Sequence, residues 1–257
     1  MRILTTAALL AATALPAAAE TAVALSGDRT LLWIDTASAA VTGQVEVQID
    51  GRLLGIDYRP GDGTIVGVTD DHRILVIDHM TGAVTEKAVM SVMLPSTEGP
   101  VVVDFNPAAD RLRFMTGTTN HRVHPDTGEV TVDGALAFEA TDMHAGEVPD
   151  IVAAAYINSY GKPEKTAMYD IDATIAGLIQ QTAPNDGTLA TIGKLGVALE
   201  GPVAFDIATD AAGTNTAWLA ANGGLHVVDL ATGAVTGSWT ITGADQPVRD
   251  LTILPAM

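Results

Sequence analysis

The sequence predicts an all-β protein, a single β-propeller, and two features carry that prediction. A unit of about 44 to 52 residues with four short strand-like segments recurs along the chain, and the two ends carry complementary parts of one unit. Repeats of this length with four strands are typical of propeller blades, because one blade cannot bury both faces of its sheet without neighbours. We expect very little helix, since no segment after residue 20 keeps a helical period over three turns; the best candidate is residues 173–181.

The clearest unit spans residues 101–136 and shows what a blade should contain. Its four strand-like pieces are Val101–Phe105, Arg111–Met115, Arg122–His124 and Glu129–Val132, each followed by turn residues such as Asn, Pro, Asp or Gly. In related copies a Thr-Gly turn precedes an outer strand, and the Asp before it can accept turn amide hydrogens. This interpretation accounts for three aspartates without a function, Asp78, Asp126 and Asp229.

The ends of the chain predict how the ring closes. The first unit lacks its first strand and offers only three, at residues 22–25, 31–35 and 40–47, whereas residues 248–254 form a lone first strand at the other end. Pairing the two would complete one blade and remove two open sheet edges. We therefore expect five blades, with six as the alternative if residues 133–150 hold another strand pair.

The first 19 residues predict a secretory signal peptide. Arg2 is followed by an apolar run from Ile3 to Leu15, and the segment ends with small residues at Ala17 and Ala19. The apolar run is too short to cross the hydrocarbon core of a bilayer, about 30 Å thick. We expect cleavage after Ala19, a single domain over residues 20–257, and a periplasmic or secreted protein. With no Cys in the chain, disulfides and thiolate sites are excluded.

The charge balance restricts the partners. Thirteen Lys and Arg residues stand against 31 Asp and Glu residues, a formal net charge of −18. A field of that sign repels phosphates and anionic headgroups, which argues against nucleic acid and membrane surfaces. A cation, a small molecule or a protein remain as ligands. We expect no membrane insertion and a monomer.

The central segment resembles a known family. DFNPAADRLRFMTGTTNHRVHPDTGEVTVDGALAF, followed by VAAAYINS, NDGTLATIGKLG and PVRDL, is similar to the exported bacterial family called domain of unknown function 4394. The similarity covers about Leu53 to Leu254. It departs from the family pattern at His124, where Asn is usual, and in the acidic loop Glu139–Asp150. The resemblance implies an exported propeller-like domain and no particular activity.

The strongest candidate site is a residue repeated in the first strand of each unit. The repeats put four aspartates and one tyrosine there, namely Asp57, Asp104, Tyr156, Asp206 and Asp250. First strands line a propeller axis, and equivalent side chains point the same way in every blade. Four gathered carboxylates would favour a hard cation such as Ca²⁺. The alternative is that each carboxylate accepts backbone N–H bonds and latches the blades together.

Other chemistry is weakly supported by the sequence. His121 and His124 lie three apart, so a strand points them to opposite faces, and His144 sits in the acidic loop. No G-x-S-x-G signature is present. A glycosidase-like hydrolase with carboxylates at the axial channel stays open by analogy of fold. We therefore expect an exported binding or scaffold module of unknown ligand, with a hydrolase or a Ca²⁺-stabilised structural propeller as alternatives and no catalytic residue assigned.

Overall fold

The protein is a five-bladed β-propeller. The structure, a computed structural model, describes residues 20–255, so the predicted signal peptide lies outside the described residues. Within residues 20–255 there are 21 strands and no helix, arranged in five sheets. The all-β prediction is confirmed. No helix of residues 20–255 is long and apolar enough to cross a bilayer.

The strands follow one another at short intervals. In chain order they are β1 (Thr21–Ser26), β2 (Thr30–Asp35), β3 (Ala40–Glu46), β4 (Leu53–Arg59), β5 (Thr64–Thr69), β6 (Arg73–Ile77), β7 (Val84–Val89), β8 (Val102–Asn106), β9 (Arg111–Thr116), β10 (Thr119–Val123), β11 (Val130–Val132), β12 (Ala137–Phe138), β13 (Ile151–Tyr156), β14 (Met168–Asp172), β15 (Gly177–Ala183), β16 (Thr188–Lys194), β17 (Val203–Thr209), β18 (Asn215–Ala221), β19 (Gly224–Val228), β20 (Val235–Thr240) and β21 (Val248–Leu254).

The first blade is built from both ends of the chain, as the sequence predicts. Its strand order is β21-β1-β2-β3, and β21 pairs antiparallel with β1 along its length, with Val23 opposite Thr252 and Ala24 opposite Leu251. The second blade is β4 to β7, the third β8 to β11, the fourth β13 to β16 and the fifth β17 to β20. The C-terminal strand therefore supplies the innermost position of the blade that the N-terminal strands begin.

The alternative of a sixth blade is wrong. Residues 133–150 contain one strand, β12, which adds in parallel to the outer edge of β16 in the fourth blade. The best helical candidate, residues 173–181, is a turn that continues into β15. Its Gly177 and β-branched residues favour extended structure over helix.

The hydrophobic core is divided into five clusters, one between each pair of adjacent blades. Strand β1 shows how the sequence encodes this. Ala22 and Ala24 pack against the fifth blade, whereas Val23 and Leu25 pack against the second. Because side chains alternate along a strand, a strand buried on both faces must be apolar at every position. The inner strands accordingly read as continuous apolar runs broken by single polar residues.

The turn chemistry is confirmed at two of its three predicted positions. Asp78 accepts the amide of Met80 at 2.9 Å, and Asp229 accepts that of Ala231 at 2.8 Å. The prediction is wrong for Asp126, whose carboxylate contacts Arg59 and not its own turn. In that copy the turn acceptor is His124, whose Nδ1 takes the amide hydrogen of Asp126 at 3.3 Å.

Candidate functional site

The candidate site lies on the propeller axis, where the five innermost strands meet. Strands β4, β8, β13, β17 and β21 contact one another in that cyclic order, and each is the terminal strand of its sheet. The inner edge of each strand therefore has no neighbouring strand of its own sheet to pair with. Buried backbone N–H groups left without an acceptor are strongly unfavourable.

Aspartate side chains accept hydrogen bonds from the N–H groups of this inner edge. The Oδ2 atom of Asp57, in β4, accepts the backbone N–H of Phe105 in the next blade at 2.6 Å. Asp104, in β8, accepts the N–H of Tyr156 at 3.0 Å through Oδ1. Asp206, in β17, accepts the N–H of Ile253 at 2.5 Å through Oδ2. Each carboxylate thus joins its own blade to the one that follows in the ring.

A threonine completes the same pattern between the first and second blades. Thr252, in β21, accepts the N–H of Tyr58 at 3.1 Å and donates its hydroxyl hydrogen to Asp57 Oδ1 at 2.8 Å. We call the position shared by Asp57, Asp104, Asp206 and Thr252 the latch position. The fourth blade has Ala155 there, with no acceptor to offer, and Ile207 instead donates to its own neighbour Asp206 at 2.6 Å.

The repeat alignment of the sequence is therefore out of register in two blades. Tyr156 is one residue beyond the latch position, and Asp250 is two residues before it. For Asp250 the signal that gives the right register is the proline that follows three of the inner strands: Pro255 follows Leu254 as Pro60 follows Arg59 and Pro107 follows Asn106. Counting back from that proline places Thr252, and not Asp250, in line with Asp57.

Asp250 acts as a second latch one layer away along the axis. Its Oδ2 accepts the N–H of Ile56 at 2.7 Å, and its Oδ1 accepts that of Leu251 at 3.0 Å. The close approach requires Gly55, because a Cβ at that residue would lie 2.6 Å from Asp250 Oδ2. Both oxygens of Asp250 are thus used for backbone contacts.

The Tyr156 side chain contributes to a different buried network, between the third and fourth blades. The guanidinium of Arg113 donates to the Tyr156 hydroxyl at 3.2 Å and to Asp133 at 2.8 Å. The same guanidinium donates to the side chains of Asn120 and Asn185. Arg113 is among the largest fully buried side chains of the described residues. No sequence signal marks this network, because its members are separated by up to 72 residues and share no repeat position.

The latch brings three carboxylates into one buried cluster. One oxygen from each of Asp57, Asp104 and Asp206 can be chosen so that all three lie within 4.8 Å of one another. The three residues are 4 to 6% exposed. None of them forms an ion pair with a cationic side chain of residues 20–255. No donor among those residues contacts the Oδ2 atom of Asp104.

Burial without a counter-charge shifts the titration of these groups. Burial first, and then the Asp206 charge, raises the pKa of Asp57 well above its usual value. Burial and the neighbouring Asp57 raise the pKa of Asp104 in the same direction. Burial also raises the pKa of Asp206 to about 6 and that of Asp250 to about 8, although backbone hydrogen bonds oppose both shifts. The negative charge is thus disfavoured here unless a proton or a cation accompanies it.

A small cavity borders the cluster at one end of the axis. It is lined by Asp57, Asp206 and Thr252 together with Glu20 and Thr209, near the ends of the inner strands. Glu20 accepts the indole N–H of Trp218 at 3.1 Å, and burial raises its pKa. We call this end the acidic mouth.

The histidines do not join this site. His121 is buried in β10, His124 caps a turn, and His144 contacts Glu147 at 3.1 Å in the acidic loop. Within residues 20–255, the only group of His, Asp or Glu side chains close enough to share an ion is the axial one.

Replacing Thr252 by Val tests the latch without adding a cavity. The isosteric change removes one of the two acceptors of Tyr58 N–H, the other being Asp57 Oδ1 at 2.7 Å, and one donor to Asp57, so we expect a loss of about 1 to 3 kcal/mol in the free energy of unfolding. Urea titration followed by circular dichroism measures it. The control is Thr240→Val on the exposed outer strand β20, which should change stability by less than about 0.5 kcal/mol. Equal effects of the two substitutions would show that the latch is dispensable.

The solved structures that this chain is similar to share its fold, at low sequence identity. A protein of unknown function from Bacteroides thetaiotaomicron VPI-5482 is 16% identical, with 93% of this chain and 68% of that chain covered and a TM-score of 0.51. A protein of unknown function from Bacteroides caccae is 12% identical over 89% and 75% of the two chains, with a TM-score of 0.45. The calcium-binding protein regucalcin from Agrobacterium tumefaciens is 16% identical over 91% and 77%, with a TM-score of 0.48. These identities carry no information about function.

The sequence comparisons identify a family but no function. No curated protein matches the chain. The family model described as "Domain of unknown function (DUF4394)" matches residues 30–252, which extends from β2 to the latch residue of β21. The match covers all five blades and the ring closure, and the chain belongs to this family.

Proposed function

We propose that the protein is an exported propeller that acts as a binding module and is stabilised by a divalent cation, Ca²⁺, at the axial cluster. The observation that supports a bound cation is the buried group of Asp57, Asp104 and Asp206, which has no cationic partner. Ca²⁺ bonds to oxygens at about 2.3 to 2.6 Å, so ligands on opposite sides of one ion lie about 4.8 Å apart. The mutual spacing of the three carboxylates, within 4.8 Å, fits a single ion.

Latching and cation binding are compatible at this site. A carboxylate oxygen has two lone pairs, so an atom that accepts one backbone N–H can also face an ion. The second oxygen of Asp104 is free of donors from the described residues, which makes it the first ligand to expect. Asp250 is not one of the three carboxylates within reach of one ion. Its oxygens take the amides of Ile56 and Leu251 in the neighbouring layer.

The same geometry disfavours the hydrolase alternative. A glycosidase places its two carboxyl groups on either side of a sugar, about 5 to 9.5 Å apart, with room for the substrate. Here Asp57 and Asp206 are 6% exposed and are bonded to backbone amides of the adjoining blades. A sugar ring could reach them only if the inner strands separated. The cluster is better suited to a desolvated ion.

Calcium should stabilise the protein through Asp104. Asp104→Asn keeps an oxygen for the Tyr156 amide but removes the charge and the free carboxylate oxygen. The matched control is Asp170→Asn, which removes a fully buried carboxylate of β14 that bonds Gln181 away from the axis. At 100 times the Kd, Ca²⁺ should add about 2.7 kcal/mol, or roughly 5 to 10 °C in Tm, to the chelator-treated wild type and to the control. Asp104→Asn should show little or no gain.

The pH dependence of this gain follows from the raised pKa values. Protonated carboxylates of the cluster keep the calcium-free protein most stable below the unfolded value of about 3.8. The part that Asp206 contributes is lost as pH rises through its raised pKa of about 6, and the pKa values of Asp57 and Asp104 are raised in the same direction. The Ca²⁺ gain should therefore be larger at pH 8 than at pH 5. Thermal unfolding with CaCl₂ or EDTA measures both. If Ca²⁺ raises Tm equally in wild type and Asp104→Asn, the proposal is wrong.

Export rests on residues 1–19, and the start of the fold supports its predicted cleavage point. Glu20 already bonds to the first blade, with its N–H donated to Thr36 Oγ1 at 3.0 Å and its carbonyl accepting the Thr36 amide at 3.0 Å. We expect the full chain, expressed in a Gram-negative host, to be recovered from the periplasm with Glu20 as its first residue. N-terminal sequencing of the periplasmic and cytoplasmic fractions tests this. Recovery only in the cytoplasm with residues 1–19 attached would contradict export.

A further inference from the structure

The end of the axis opposite the acidic mouth holds a cavity of different chemistry. It has a volume of about 360 Å³ and is open to solvent. Its floor is formed by the residues three positions before the latch position in each blade, Leu54, Val101, Val152, Val203 and Arg249. Four aliphatic side chains and one arginine therefore close the ring at this end. Volumes of 300 to 1,000 Å³ with an apolar lining and few polar groups are typical of small-molecule sites.

Two guanidinium groups face this cavity. Arg249 is held in place by carbonyl oxygens, those of Gly27, Asp28, Leu53 and Leu54. Arg52, from the loop before β4, donates to the carbonyl of Thr97. Neither guanidinium forms an ion pair with a carboxylate of residues 20–255. Glu98 lines the same cavity, but it is exposed at the rim.

Unpaired arginines are unexpected in a chain of this composition. With 31 acidic and 13 basic residues, nearby carboxylates are plentiful. Burial lowers the pKa of Arg249, and the Arg52 guanidinium lowers it further, although Asp250 and Asp28 oppose the shift. Two like charges are thus held close together over an apolar floor. A ligand that brings negative charge would relieve their repulsion and fill the remaining donor positions.

We propose that this cavity binds a small organic anion, a carboxylate with an apolar body. The carboxylate faces Arg52 and Arg249, and the apolar part rests on Leu54, Val101, Val152 and Val203. An inorganic anion would leave the aliphatic floor in contact with water, and a cation would meet two guanidinium groups. The site is separate from the Asp cluster and does not depend on calcium.

Benzoate is a suitable probe because it combines a carboxylate with a compact apolar ring. Isothermal titration calorimetry should show benzoate binding to the mature protein, with no comparable binding of benzylamine, which has the opposite charge, or of acetate, which lacks the ring. Arg52→Gln should raise the Kd of benzoate by about tenfold or more, the loss expected for a charge-assisted hydrogen bond. Arg111→Gln removes the same charge at the other end of the propeller, where Arg111 bonds the carbonyl of Asp110, and should leave the Kd unchanged.

The location of the ligand is tested without a variant. Methyl NMR signals of Leu54 and Val152 should shift with benzoate, whereas that of the exposed outer-strand residue Val132 should not. Absence of benzoate binding to the wild type would overturn the proposal. So would equal affinity in Arg52→Gln and Arg111→Gln, benzylamine or acetate binding as tightly as benzoate, or shifts that spare the floor of the cavity.

Discussion

The unpaired inner edge of each blade is the constraint on which the rest of this structure depends. Packing five sheets face to face buries both surfaces of every inner strand, but the backbone groups along the axis gain no partner strand. A short side chain that reaches the next blade solves the problem, since Asp and Thr can accept an amide hydrogen from a neighbouring strand. The latch position and the second layer at Asp250 are two uses of that solution.

The use of carboxylates at the latch positions has an electrostatic consequence. Three of the five latch positions carry a carboxylate, and they face one axis, so satisfying the backbone concentrates negative charge where water is excluded. That charge is limited because the latch residues of the fourth and first blades, Ala155 and Thr252, are neutral. The remaining charge gives the acidic mouth its character, whereas the aliphatic and arginine ring three residues earlier makes the other end suited to anions. The cavities at the two ends of the axis thus differ because the inner strands carry different residues at two levels.

Much of the fold could be predicted because its signals are local and repeated. The period of the units and the missing strand at the N-terminus indicated a ring closed by residues 248–254, and the structure has those bounds. The site was predicted less accurately. Asp57, Asp104 and Asp206 do meet, but Tyr156 and Asp250 do not share their strand position. For Asp250 the proline at the end of the strand is the better guide, whereas no proline follows the strand of Tyr156. The latch residue Thr252 was missed because Asp250 took its place in the repeat alignment.

Other features could not be found in the sequence because they join distant, unrepeated positions. Arg113 meets Asn185 across the interface of the third and fourth blades, and Arg52 approaches Arg249 only after the chain closes. Neither pair has a spacing that marks it. Glu20 becomes part of the acidic mouth because Trp218 of the fifth blade lies beside it. Ring closure converts these sequence-distant residues into neighbours, so their contacts depend on the fold and not on local pattern.

Native-state hydrogen exchange of the inner-edge amides tests the latch most directly. If side chains of adjoining blades hold the axis together, the amides of Phe105, Tyr156 and Ile253 should exchange only through global unfolding, with the same free energy as amides in the middle strands of the blades. Fast exchange of these three amides under conditions where the middle strands stay protected would contradict the account. It would show that the ring is held by apolar packing between blades and that the axial hydrogen bonds contribute nothing to it.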